Sequence, residues 1–70
     1  MTVMEEMGRL IRSAPGPRAS ATQLADWYES KAHMLEHLAE EDEAGRYTAL
    51  RQAEAAHRHA MALLANRPGE

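Results

Sequence analysis

The apolar residues of this chain recur at helical spacing in three stretches, and nowhere do they alternate as a half-buried strand requires. That pattern restricts the fold to the all-α class. In the first stretch Val3, Met4, Met7, Leu10 and Ile11 form one stripe, with Gly8 on another face. Met1, Met4 and Met7 make this stripe soft and adaptable. Residues 14–19 read APGPRA, and two prolines with a glycine end a helix and leave a linker. Ser20 with Gln23 three residues later has the form of a capping box, which predicts the start of a second helix.

The run EEDEAG at 40–45 is expected to hold the next turn, because carboxylates suit the N-terminus of a helix better than its C-terminus. The turn is placed at 40–42, with Asp42 as the N-cap of a third helix. A single uninterrupted helix is the alternative, opposed locally only by Gly45. The third helix is expected to stop at NRPGE, where Asn66 and Pro68 are stop signals. The expected organisation is an N-terminal amphipathic helix at 1–13, a linker at 14–19, a helical hairpin at 20–66 and a tail at 67–70.

With about 100° between successive side chains, Leu24, Trp27, Tyr28, Met34, Leu35 and Leu38 share one face of the second helix, with Lys31 in its middle. The third helix has a wider arc, carrying Ala49, Leu50, Ala53, Ala56, Ala60, Met61, Leu63 and Leu64, with His57 among them. Such an arc implies more than one neighbour, and its alanines permit close approach of another helix. A short turn makes the two helices antiparallel. Trp27 is then expected opposite His57, Leu24 opposite Ala60, and Lys31 close to Glu54.

Seventy residues make one small domain, and a core of that size rarely contributes more than about 3–5 kcal/mol. There is no cysteine, so neither a disulfide nor a thiolate metal site can staple the fold. Unusually good helix packing or association with another chain is the expected remedy, the partner being a second copy that completes a helical bundle as a homodimer, a larger protein, or both. The net charge of −3 argues against non-specific binding to nucleic-acid phosphates. Glu5 and Glu6 stand where a secretory signal needs basic residues, and the longest apolar run, AMALLA at 60–65, is far too short to cross a membrane. The chain therefore reads as soluble and cytoplasmic.

Four short motifs bear on chemistry. HMLEH at 33–37 has the H-x-x-E-H spacing of inverzincin metalloproteases. His33 and His37 fall opposite the apolar stripe, however, with Glu36 beside that polar arc, so all three are expected to face water. Catalysis would also need a third ligand and a cavity that excludes water. His57 and His59 in HRH point in widely different directions. His57 is expected on the apolar face, donating to Tyr28, Asp26 or a carbonyl, or forming a pH-sensitive contact. The aromatic pair in DWYESK is expected in the core, with a binding hot spot as the alternative, and Lys31 is expected to snorkel or to pair with Glu54. The acidic run EEDE lacks the alternating spacing of a calcium loop.

The sequence thus leads to a non-enzymatic protein–protein interaction or regulatory module without cofactor or metal. Its partner or dimer interface is expected at Trp27, Tyr28, Lys31, Leu50, Ala53, His57, Ala60, Met61 and Leu64, with an N-terminal docking face at Val3, Met4, Met7, Leu10 and Ile11. A DNA-associated regulator using Arg9, Arg12, Arg18, Arg46, Arg51 and Arg58 is the alternative, and a metal-binding protein a more distant one.

Overall fold

The computed structural model describes residues 2–66, and all regular structure among them is helical. α1 spans Val3–Arg12, α2 spans Ala21–Glu41 and α3 spans Arg46–Ala65. The tail at 67–70, the stop signal at Pro68 and the share of Met1 in the first stripe lie outside the described residues.

α1 begins on a capping box that was not anticipated. Glu5 donates its N–H to Thr2 Oγ1 at 3.1 Å, and Thr2 donates its own N–H to Glu5 Oε1 at 3.4 Å. Glu5 and Glu6 in the first turn and Arg9 and Arg12 in the last match the helix dipole at both ends. α2 opens on the expected box: Gln23 N–H donates to Ser20 Oγ at 3.1 Å and Ser20 N–H to Gln23 Oε1 at 2.8 Å.

The α2–α3 turn departs from expectation. α2 continues through Glu40 and Glu41, so these carboxylates close a helix rather than open one. Gly45, not Asp42, occupies the N-cap of α3, and no side chain caps it. Asp42 instead braces the turn, its Oδ1 accepting Gly45 N–H at 3.1 Å. Arg46 Nε donates to the Ala39 carbonyl at 2.8 Å. A guanidinium at the end of α2 offsets the carboxylates that the dipole disfavours there. A Cβ at position 45 would fall 2.5 Å from Asp42 Oδ2, so a larger residue there would displace the carboxylate that braces the turn.

α2 and α3 form the antiparallel hairpin, and their buried residues are mostly alanines. Ala25, Ala32, Leu35 and Ala39 on α2 and Ala49, Ala53, Ala56 and Ala60 on α3 are all buried. Steps of seven, three and four on α2 and of four, three and four on α3 keep one narrow seam in register along both helices. Each buried methyl contributes only about 0.8 kcal/mol of hydrophobic free energy, but a seam of methyls lets the backbones meet and gain dispersion contacts.

α1 packs on the adjacent face of α2. Val3 and Leu10 are buried and cluster with Met34, and Met7, Trp27 and Leu38 pack partly buried against them. α1 touches α2 but, among the described residues, not α3. α2 is therefore the central helix of an open array measuring 43 × 22 × 16 Å. Its radius of gyration of 13.0 Å exceeds the value of about 11 Å for a compact chain of this length. An array this thin leaves one side of α1 and one side of α3 uncovered.

Candidate interaction surface

The two outer helices each divide their apolar residues between an inner and an outer face. On α1, Val3, Met7 and Leu10 turn toward α2, whereas Met4 is 77% and Ile11 69% exposed. The expected five-residue docking face is thus two stripes. On α3 Ala49, Ala53, Ala56 and Ala60 face α2, whereas Leu50 is 44%, Met61 54% and Tyr47 66% exposed. A shallow groove beside the seam is lined by Glu36, Leu50, Ala53, Glu54 and His57.

The residues expected at one interface are therefore distributed over several places. Ala53 and Ala60 are buried within the hairpin itself, and Leu64 is half-buried. Leu50 and Met61 are exposed on one flank of α3, Leu50 in the groove beside Glu36. Tyr28 and Lys31 line a second groove on the opposite side of the hairpin, with Gln52, Ala55, Ala56 and His59. Trp27 does not meet His57. Its indole N–H donates to the Leu10 carbonyl at 2.9 Å, which satisfies a carbonyl at the C-terminal end of α1. Trp27 also meets Tyr28 edge to face, with ring centroids 5.2 Å apart.

His57 is not on the apolar face. The wide arc of α3 placed it there, but the seam is narrow enough for alanines alone to fill it. His57 is exposed, and its Nδ1 lies 2.6 Å from Glu29 Oε1. The hairpin register is accordingly shifted from the expected one. His59 is exposed, and its ring stacks on Tyr28 with centroids 4.1 Å apart. Lys31 makes no ion pair with Glu54 among the described residues; its Nζ sits 5.8 Å and 5.9 Å from the centroids of Trp27 and Tyr28. A cation over aromatic faces keeps its charge at the rim while its stem covers apolar surface.

The HMLEH motif divides in the same way. His33 and Glu36 are exposed and 3.6 Å apart. His37 is not merely solvated: its Nδ1 lies 2.6 and 2.8 Å from the two carboxylate oxygens of Glu6 on α1. That hydrogen bond raises the His37 pKa above its ordinary value, helped by the charges of Glu6, Glu40 and Glu36 and opposed by slight desolvation. Glu6 and Glu29 escaped the sequence reading. Each sits at the edge of its helix's packed stripe, across from a histidine at the edge of the neighbouring stripe. That edge-to-edge placement is the signal that could have found them.

A cleft of about 690 Å³ lies under the linker, lined by Ser13, Pro15, Arg18, Gln23, Asp26 and Trp27 among others. No polar or charged side chain among the described residues is buried, in this cleft or elsewhere. No three histidine or carboxylate side chains among them converge as a metal site would require. The six arginines in question sit on α1, the linker and α3. Arg46 is engaged by Ala39, and Arg51 donates to the Tyr47 hydroxyl at 3.1 Å. No helix of the described residues is long and apolar enough to cross a membrane. No protein-family model, no curated protein and no solved structure matches this chain.

Proposed function

We propose that this chain is a non-enzymatic interaction module that works by helix packing, and that it pairs with a second copy of itself. The observation that carries this reading is the outer stripe of α3. Leu50 and Met61 stand exposed on the same side of a helix whose inner side is already filled by alanines. A lone exposed leucine needs no explanation, but two large apolar residues at helical spacing beside a groove form an anchor set for another helix. Size supports the same reading, because three helices of this length are near the lower limit for stability alone.

Sedimentation equilibrium tests it. A homodimer at micromolar concentration is the expected result. A folded species that stays monomeric to millimolar concentration refutes self-pairing. The DNA-associated alternative predicts salt-sensitive retention on duplex DNA, which the interaction module should not show.

A further inference from the structure

The outer stripe of α3 has an internal order that identifies its partner. Tyr47, Leu50, Glu54, His57, Met61 and Leu64 step along the helix by three and four, so they lie on one side of it. Read in either direction the stripe has the same plan: a large residue, an apolar anchor, a polar residue, a polar residue, an apolar anchor, a large residue. The two central residues are a carboxylate and an imidazole. When two such helices are laid antiparallel, each apolar anchor meets an apolar anchor and each carboxylate meets an imidazole.

We propose that two copies of this chain pair through α3 laid antiparallel on α3, with Leu50 against Met61 of the partner subunit and Glu54 against His57 of the partner subunit. This arrangement rests on the self-pairing reading above and gives it a direction and a register. Charge decides the direction. In a parallel pair Glu54 would face Glu54 of the partner subunit near the axis, a like-charge contact. In the antiparallel pair Glu54 lies between His57 and Arg58 of the partner subunit, and the contact occurs twice by symmetry. Glu54 and His57 share one groove with Leu50 and Glu36 on the free hairpin, where Glu29 already lies 2.6 Å from His57 Nδ1, so Glu54 of the partner subunit meets the Nε2 side of the ring.

Cysteine cross-linking reads the register directly, because the chain contains no cysteine of its own. Leu50→Cys and Met61→Cys replace exposed residues, so each is expected to keep the helicity and melting temperature of the parent. In the antiparallel pair position 50 lies level with position 61 of the partner, within the 4.4–6.8 Å Cα spacing of a disulfide. Two copies of position 50 are then separated by eleven residues of helix, about 16 Å, and cannot be bridged. Mild oxidation of an equimolar mixture should give the mixed 50–61 disulfide, and Leu50→Cys alone should give none. Leu50→Glu, which changes both ends of the contact, should raise the dimer dissociation constant about 100-fold.

Efficient cross-linking of Leu50→Cys to itself would overturn the antiparallel register in favour of a parallel one. A mixture that sediments as a dimer yet forms no 50–61 bridge would place the interface elsewhere, leaving self-pairing intact and this assignment refuted. A monomer at every concentration would overturn both.

Discussion

The two interhelical contacts of this molecule are built on opposite plans. The α2–α3 seam is long and lined by single methyls, with Ala25, Ala32, Ala39, Ala49, Ala53, Ala56 and Ala60 all buried. The α1–α2 contact is short and lined by large side chains, Val3, Met7 and Leu10 against Trp27, Met34 and Leu38. It is latched at its rim by two polar contacts, Trp27 to the Leu10 carbonyl and Glu6 to His37. A methyl seam has no slack, because neighbouring backbones stand where a larger side chain would go. A contact of long side chains at the end of a linker can be opened without disturbing its base. The hairpin is therefore the scaffold and α1 an appendage docked on it, and the two should fail independently.

The severest break is in the seam. Ala60 is fully buried, and arginine there forces both volume and an unpaired charge between two backbones. Ala60→Arg should cost about 4 kcal/mol or more and unfold the hairpin. Met61→Arg, one position on but exposed, should leave the fold intact. Far-UV circular dichroism with thermal melts compares them. Equal melting temperatures would show that the seam is not closely packed.

A smaller effect is expected on the other contact. Leu10→Ala removes a buried side chain from α1 and should cost about 2 kcal/mol or more, enough to release a helix held by three apolar residues. The hairpin should survive. Trp27 is the only tryptophan, so its emission reports the contact. A red shift with loss of hydrogen-exchange protection confined to α1 is expected. Loss of protection in α3 as well would mean that the two contacts fold as one unit.

The sequence made the three helices, the Pro-Gly linker and the Ser20 capping box legible, because each depends on neighbours within a turn or two. The α2–α3 turn was misplaced because the dipole rule was applied to Glu40 and Glu41 without their compensation. Arg46, which stands against the Ala39 carbonyl, is brought there only by the turn itself. His57 was misplaced because an arc of alanines and leucines looks wide on a wheel. Once alanines fill the seam, the leucine and methionine at its edge are displaced to the surface, and His57 goes with them. The division of the α1 stripe into inner Val3, Met7, Leu10 and outer Met4, Ile11 was equally hidden. Five apolar residues on ten cannot show how many neighbours the helix will have.

The smallest expected effect sharpens the same comparison, because the α1 contact carries a titrating latch. Glu6 favours the protonated form of His37, so the histidine pKa is raised in the folded protein above its unfolded value of about 6.5. The folded state therefore binds the proton more tightly than the unfolded one. The resulting stabilisation is fully present below the unfolded pKa and is lost as pH rises through the raised folded value. The Glu6–His37 pair is open to water on the histidine side, so the contribution is modest and screened by salt. Docking of α1, followed through Trp27 emission and amide exchange of residues 3–12, should loosen as pH rises above about 6.5 and through the raised folded value. His37→Gln should flatten that dependence while leaving the melting of the hairpin unchanged. His33→Gln, whose ring faces water beside Glu36, should leave the dependence in place. An undiminished pH response in His37→Gln would show that the latch does not hold α1. The pH sensitivity of the docked helix would then have to come from a different group.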